Sequence, residues 1–139
     1  MKIKFIILGS GYSLGVPRAD GYWGKCDSKE KKNYRTRCSA FIKSKIKDIV
    51  IDTSPDLRNQ LISNNIKNID CVLFTHKHGD QIHGINDLRV FSLKYKQKIP
   101  IYADLNTGKY LKKSFSYCFN DSPGYKAILK FNLLKKNLN

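Results

Sequence analysis

The sequence predicts an α/β fold, described equally well as α+β, and two observations support this prediction. Short apolar segments typical of strands alternate with longer segments in which apolar residues recur at helical spacing. The 139 residues suit one domain, and 41% of them are hydrophobic, which is enough to form a core. We therefore expect a single domain over residues 1–139.

The N-terminal third predicts three strands and one long loop. Residues 2–8 alternate Lys with apolar side chains and then become continuously apolar, which predicts a strand that is fully buried by its end. Residues 15–37 contain Gly, Pro and mixed charges without a period, so we expect a long loop that is functional or mobile. Residues 38–43 and 48–51 predict the two strands of a hairpin.

A helix follows this hairpin. Ser54 suits the N-cap position and Pro55 the first helical position. The apolar stripe is expected at Leu57, Leu61 and Ile62, and the end of the helix at Asn64 and Asn65.

The remaining segments continue the alternation of strands and helices. We expect a strand buried on both faces at 71–74, a helix at 85–95, a strand at 100–103, a helix at 106–117 and an apolar stretch at 128–134. Leu88, Phe91 and Leu93 are expected to supply the apolar contacts of the first of these helices, and Leu111 and Phe115 those of the second. A Lys/Asn-rich tail follows.

Charge and cysteine usage constrain the class of protein. Lys and Arg number 26 against 11 Asp and Glu, a formal net charge of +15, which raises the alternative of a basic nucleic-acid-binding module without catalysis. The excess is mostly Lys spread along the chain, which favours a solvated surface.

The four cysteines form no CxxC pair, which indicates reduced thiols and a cytoplasmic protein; the role of Cys26 stays open. No segment has the roughly 20 apolar residues that a membrane span requires.

All three histidines lie in residues 74–84, FTHKHGDQIHG. In an extended backbone, the spacing of His76, His78 and Asp80 places three side chains on one face, just after a buried strand. Two neutral imidazoles and a carboxylate are donors that zinc accepts, and Gly79 permits a tight bend between them. A metal held there activates water or polarises a phosphoryl oxygen. The alternative is a polar turn whose histidines form hydrogen bonds alone.

Residues 75–80, THKHGD, resemble the HxHxDH signature of the metallo-β-lactamase-fold hydrolases. Further segments follow the order seen in the phosphoribosyl cyclic phosphate phosphodiesterase branch of that superfamily. They are GSG at 9–11, GVPR at 15–18, WGKCD at 23–27, RTRCS at 35–39, IDTSPDLR at 51–58 and HGINDLR at 83–89. The resemblance implies a four-layer αββα sandwich of two sheets, of which this chain supplies about the N-terminal βα half. We therefore expect an incomplete domain.

The resemblance also implies roles by position. His76 and His78 correspond to ligands of a first metal, and Asp80 to a ligand of a second metal and a catalytic residue. The family's next histidine falls on Gln81, whose neutral carbonyl oxygen is a poor substitute for an imidazole on zinc. His83 is expected to support the site or begin a helix. No histidine follows His83, so the family's later ligands have no counterpart in these residues.

The sequence therefore predicts a metal-dependent, phosphodiesterase-like hydrolase in a truncated form with weak or no activity. We expect at most one metal site, for zinc or manganese. An active form would take a small anionic phosphodiester, and a second polypeptide is a candidate partner that completes the fold. Substrate-binding residues are not assigned. Arg18, Arg37 and Arg89 are candidates to meet an anion, with surface solvation as the alternative for each.

Overall fold

Six strands form one mixed sheet in the computed structural model, which describes residues 2–134. Their order in space is their order in the chain: β1 (Lys4–Gly9), β2 (Ser39–Lys43), β3 (Asp48–Ile51), β4 (Cys71–Leu73), β5 (Ile99–Ala103) and β6 (Leu129–Leu133). β2 pairs antiparallel with β1 and with β3, and β3 to β6 are parallel. The predicted α/β class and the predicted hairpin are confirmed.

Helical segments connect the parallel strands. Within the described residues they are α1 (Leu57–Ser63), α2 (Gly79–Ile82), α3 (Arg89–Tyr95), α4 (Leu105–Ser114) and α5 (Ser116–Phe119), with 3₁₀ turns at Lys31–Asn33 and Ile85–Leu88. None of these helices has the length and hydropathy that crossing a bilayer requires. The Lys/Asn-rich tail predicted after Leu134 lies outside the described residues.

The core lies against one face of the sheet. Strand pairing aligns one row of apolar side chains across all six strands on this face: Ile6, Phe41, Val50, Val72, Ile101 and Phe131. The four central members of this row are at most 1% exposed. Leu57, Leu88 and Leu111 from the helices are fully buried in the same cluster. Removing this apolar surface from water is the main stabilising contribution to the fold.

The other face of the sheet is also apolar, and the described residues leave it open. We call it the open face; it consists of Phe5, Ile7, Ala40, Ile42, Ile49, Ile51, Cys71, Leu73 and Tyr102. One row of pairs runs across β1 to β4 and the other across β1 to β5, and Cys71 is the one buried member. Phe5 is 60% exposed and Ile7 67% exposed. The prediction that the first strand ends fully buried is therefore wrong for Ile7. Its side chain alternates onto the open face, and only the next residue, Leu8, reaches the core.

Two helices differ from their predicted boundaries and apolar stripes. Ser54 is not the N-cap of α1: its Oγ accepts a hydrogen bond from Asp56 N in a turn, and the helix begins two residues later than predicted, at Leu57 with Asp56 as its N-cap. Ile62 and Leu93, predicted to be apolar contacts, are 58% and 61% exposed. They line a groove of about 560 Å³ between α1 and α3. α1 and α3 each have only two turns, so only a narrow stripe of each helix faces the sheet. In α1 this stripe includes Gln60 rather than Ile62, and in α3 it includes Ser92 rather than Leu93.

The predicted helix at 106–117 is two helices. The backbone of Phe115 leaves the helical region, with φ −121° and ψ 41°, so α4 ends before it and α5 begins after it. Asp104 caps α4, because its carboxylate accepts hydrogen bonds from the backbone N–H groups of Asn106 and Thr107.

The long predicted loop is present, and its end is bound to the start of α1. The Arg37 guanidinium donates from Nε and Nη2 to the two carboxylate oxygens of Asp56, at 2.8 and 2.7 Å, and Arg37 N donates to the same carboxylate at 2.8 Å. Gln60 Nε2 donates to the carbonyl oxygen of Arg37 and to Thr36 Oγ1. The hydrogen bonds from Arg37 hold the pKa of Asp56 below its usual range.

This ion pair predicts an acid-sensitive contribution to stability. The pKa of Asp56 is lower in the folded state than in the unfolded state, so the stabilisation is fully present above about pH 4 and is lost as the pH falls through the folded-state value. We expect Asp56→Asn to lower the free energy of unfolding at pH 7 by about 1–2 kcal/mol, after allowing for solvent screening of a partly exposed pair. Urea unfolding measured from pH 7 down to pH 3 should show this difference shrinking below pH 4.

The matched control for this measurement is Asp27→Asn, at an exposed carboxylate that accepts a hydrogen bond from Lys29 N. We expect this variant to follow the wild type at every pH. A constant difference between Asp56→Asn and the wild type across the acid range would contradict the assignment.

Candidate metal centre

Two imidazole rings meet just beyond the C-terminal end of β4. His76 and His78 follow this buried strand, and their rings pack edge to face with their centroids 4.6 Å apart. Both side chains are exposed. The carboxyl ends of parallel strands are where open α/β sheets bind ligands, so the pair occupies a position suited to chemistry.

A buried carboxylate fixes the loop that carries these histidines. Asp52 directly follows β3, and its Oδ1 accepts a hydrogen bond from Thr75 N at 2.8 Å. Its Oδ2 accepts from Thr75 Oγ1 at 2.7 Å. Thr75 Oγ1 in turn lies 2.9 Å from His76 Nδ1. A chain of hydrogen bonds thus runs from the end of one parallel strand to the first imidazole on the next.

This chain selects one tautomer of His76. The hydroxyl of Thr75 has a single hydrogen, which it donates to Asp52, so toward His76 it can act only as an acceptor. Nδ1 of the neutral His76 ring therefore carries the proton, and Nε2 keeps its lone pair. A carboxylate that orients a histidine in this way, directly or through a hydroxyl, presets the ring nitrogen that binds a metal.

The backbone of Asp52 adopts a conformation that few residues tolerate. Its φ is +59° and only 5% of the residue is exposed. Asp52 N donates to the carbonyl oxygen of Leu73, and Ser39 Oγ donates to the carbonyl oxygen of Asp52. Burial raises the pKa of Asp52, while the two hydrogen bonds from Thr75 oppose that shift. Left-handed backbone persists where the surroundings hold it, and such positions concentrate at functional sites.

Asp80 does not continue the alternation of the two histidines. Residue 79 begins α2, so Asp80 lies on a helical turn and the expectation of an extended backbone through it is wrong. Its Oδ2 accepts a hydrogen bond from Nε2 of the buried Gln81 at 2.8 Å. The residue that replaces the family's histidine therefore binds the neighbouring carboxylate.

His83 and Gly79 interact across α2. His83 is the residue that ends this helix, and its ring packs edge to face with Phe115 at 6.0 Å. A Cβ added at Gly79 would lie 3.0 Å from the His83 ring. Gly79 thus makes room for this imidazole at the point where the extended chain turns into α2, and its φ is not positive.

The segment that contains Asp52 is also bound to α2. Thr53 N donates to the carbonyl oxygen of Gln81 at 2.7 Å, and Gly84 N donates to that of Thr53 at 2.9 Å. A Cβ at Gly84 would lie 2.0 Å from the carbonyl oxygen of Ser54, so only glycine allows this approach. The loops after β3 and β4 are therefore locked together around the histidines.

The donor types suit zinc, but the described residues do not complete a metal site. Across residues 2–134, no three or more His, Cys, Asp or Glu side chains are grouped so that they could hold an ion. His76 and His78 fit as neighbouring donors, whereas Asp80 is engaged by Gln81. Cys26 is exposed and lies in the long loop. The ligand roles of His76, His78 and Asp80 remain predictions.

The three candidate arginines each have a partner within the chain. Arg18 pairs with Asp20, and Arg37 with Asp56. The guanidinium of Arg89 lies 4.5 Å from the centroid of the Tyr125 ring. Arg18 and Arg37 line one cavity of about 440 Å³, so they are the pair that lies together. The groove between α1 and α3 is lined by none of the histidines.

Comparison with known proteins places the chain in a family. Residues 47–135 match the Beta-lactamase superfamily domain, and the chain belongs to this family. It is 31% identical to a diphosphatase of the PhnP family, whose crystal structure superposes with a TM-score of 0.81 over 97% of this chain and 51% of that one. The family and the partial metallo-β-lactamase fold predicted from the sequence are thereby confirmed.

More distant structures share the fold alone. Zn²⁺-bound PqqB from Methylobacterium extorquens is 18% identical, with a TM-score of 0.69 over 96% of this chain and 46% of that one. Human tRNase Z, short form, is 18% identical, with a TM-score of 0.62 over 95% and 44%. The chain spans about half the length of these solved structures.

One curated relative is longer still. An octanoyltransferase of Porphyromonas gingivalis (strain ATCC BAA-308 / W83) is 35% identical over 122 residues, which are 87% of this chain and 24% of that protein. The similarity thus concerns about a quarter of that relative.

The hydrogen-bond chain to His76 predicts a tautomer change. In Asp52→Asn, the amide nitrogen can donate to Thr75 Oγ1, which then turns its hydrogen toward His76 Nδ1. We expect the proton of the neutral His76 ring to move from Nδ1 to Nε2. Long-range ¹H–¹⁵N NMR spectra of the ¹⁵N-histidine-labelled protein at pH 8 distinguish these two states.

Asp87→Asn is the control for this experiment, because Asp87 is half-buried and its Oδ2 accepts a hydrogen bond from Arg58 N, outside the chain to His76. It should leave the His76 spectrum unchanged. The same His76 tautomer in the wild type and in Asp52→Asn would contradict the proposed direction of the hydrogen bonds.

Proposed function

We propose that this chain is the histidine-bearing half of a metal-dependent hydrolase for small anionic phosphodiesters, and that these 139 residues alone have weak or no activity. The observation that supports this most directly is the His76–His78 pair. The hydrogen bonds that join Asp52 and Thr75 to His76 leave its Nε2 unprotonated, so that this nitrogen can bind a metal. Family membership supplies the hydrolase class.

Three observations support a phosphoryl substrate. The relative that is 31% identical is a diphosphatase, an enzyme whose substrate contains a phosphate linkage. The net charge of +15 attracts phosphate anions in general. The pair Arg18 and Arg37 lines a cavity in the long loop, and either guanidinium could exchange its internal carboxylate for a phosphate oxygen.

The proposed metal is zinc or manganese, with His76 and His78 as its first donors. Asp80 would join them as a ligand and catalytic residue if its carboxylate were released from Gln81. A metal at this position polarises a phosphoryl oxygen or generates a hydroxide nucleophile. The protein's own contribution is to fix the two imidazoles at a strand end and to select the tautomer of His76.

We expect weak or no activity because these residues supply too few metal ligands. A two-metal hydrolytic site needs more ligands than two imidazoles and one carboxylate, and no histidine follows His83 in these residues. Further donors must come from outside the 139 residues, as part of a longer chain or of a second polypeptide.

Metal analysis tests the donor set. We expect the protein, after loading with zinc and dialysis, to retain at most one weakly held equivalent. His76→Ala and His78→Ala should each abolish retention, because each removes one of two adjacent imidazoles. His83→Ala is the matched control and should retain zinc like the wild type, since this ring packs on Phe115. Two tightly held equivalents in the wild type would refute the proposal.

Restoring the family's histidine should not restore catalysis. We expect Gln81→His to show no turnover of bis(4-nitrophenyl) phosphate above that of the wild type, because the distal donors are still missing. A complete PhnP-family diphosphatase, assayed alongside, verifies that the conditions support hydrolysis. Measurable turnover by Gln81→His, lost again in Gln81→His/His76→Ala, would overturn the proposal of an incomplete site.

A further inference from the structure

We infer that the groove between α1 and α3 binds a small amphipathic anion, namely an aliphatic chain that ends in a carboxylate. This inference goes beyond the proposed function and does not depend on metal binding. The groove has a volume of about 560 Å³, which lies within the range of about 300–1,000 Å³ that is typical of small-molecule sites.

The groove combines a buried apolar floor with exposed apolar walls. Leu61 and Phe91 are 5% and 7% exposed, whereas Ile62, Val90 and Leu93 are 58%, 62% and 61% exposed. All five side chains line the groove. Exposed apolar side chains are common when scattered singly, but a set that meets in one concave surface is typical of a binding site. An aliphatic chain in the groove would remove these three exposed side chains from water.

Hydrogen bonds join the two helical segments at both ends of the groove. At one end, Arg58 N donates to Asp87 Oδ2 at 3.1 Å, and Asp87 lies in the 3₁₀ turn that precedes α3. At the other end, Lys94 Nζ and the Tyr95 hydroxyl donate to the carbonyl oxygen of Lys67, at 3.0 and 3.4 Å. The groove is therefore formed before a ligand arrives, which reduces the entropic cost of binding.

The groove carries more cations than anions. Arg58, Lys67 and Arg89 line it, and none of the three forms a salt bridge within the described part of the chain. The Arg89 guanidinium lies 4.5 Å from the centroid of the Tyr125 ring, and an aromatic partner leaves its positive charge unneutralised. The acid that lines the groove is Asp87, whose Oδ2 is occupied by Arg58 N, and burial raises its pKa. An anionic group is therefore favoured here.

The two arginines place the anionic group at one end of the groove. The hydrogen bonds at the two ends show that α1 and α3 run in the same direction. Arg58 and Arg89 each belong to the first turn of their helix, so they lie at the same end. A guanidinium binds a carboxylate through two parallel hydrogen bonds. We therefore expect the carboxylate between these arginines and the chain along Ile62, Val90 and Leu93.

The size of the groove favours a small ligand over another protein. α1 and α3 have seven residues each, which correspond to about 10 Å of helix. A standard protein interface buries about 800 Å² on each partner, an area that extends well beyond a groove of this length. Charge also distinguishes the groove from the open face, whose side chains are apolar without any charged residue among them.

Titration of the ¹⁵N-labelled full chain with decanoate, below its micelle-forming concentration, tests this inference by ¹H–¹⁵N NMR. We expect saturable shifts at Ile62, Val90 and Leu93. Acetate, which lacks the chain, and decyltrimethylammonium, which reverses the charge, should not reproduce them. Arg58→Gln/Arg89→Gln should weaken decanoate binding about tenfold, because an exposed charge pair contributes about threefold.

Two matched controls separate the groove from general attraction to a basic, partly apolar surface. Lys31→Gln/Lys45→Gln removes the same charge from exposed positions outside the groove and should bind decanoate like the wild type. Val90→Asp should abolish binding, whereas Ile7→Asp, at an equally exposed apolar position on the open face, should retain it. Circular dichroism verifies that each variant folds.

Several outcomes would overturn the inference. They are the absence of decanoate binding, shifts confined to the open face, equal binding of decyltrimethylammonium, and loss of binding in Ile7→Asp. A dimer in sedimentation equilibrium that Val90→Asp abolishes would assign the groove to a second copy and would also overturn it. Because no step involves metal, each of these results leaves the zinc experiments unaffected.

Discussion

The candidate site depends on one buried carboxylate, that of Asp52. This residue directly follows β3, yet it binds both the backbone and the hydroxyl of Thr75 just beyond the end of β4. The cost of removing a charge from water appears in the raised pKa of Asp52, and two hydrogen bonds offset part of that cost. These hydrogen bonds fix the separation between the ends of β3 and β4. Through Thr75 they also orient the ring of His76.

Local patterns in the sequence predicted most of the fold. The hairpin of β2 and β3, the buried β4 and the alternation of strands with helices follow from apolar spacing, because that spacing records which side chains can share a core. The errors concern which face a side chain occupies. Ile62 and Leu93 have core-type side chains at exposed positions, and Ile7 belongs to a face that the described residues do not cover. The spacing of apolar residues does not show that one face of the sheet lacks a covering layer.

The sequence indicated part of the site for a similar reason. The spacing of His76 and His78 predicted two adjacent imidazoles, which the structure brings together. It could not predict that Asp80 turns into a helix and pairs with Gln81, since this depends on where α2 begins. Asp52 was missed as a functional residue because its partner lies 23 positions away. The available signal was its place at a strand end beside β4, within the segment IDTSPDLR.

The close approach of Gly84 to Ser54 has a mechanical consequence. With no side chain between them, the end of the histidine segment rests directly on the peptide that leads into α1. The beginning of α1 is in turn joined to the long N-terminal loop through Asp56 and Arg37. The histidine segment, the start of α1 and the end of the long loop are therefore joined by direct contacts into one continuous unit, so a substitution in any one of them bears on the position of the imidazoles.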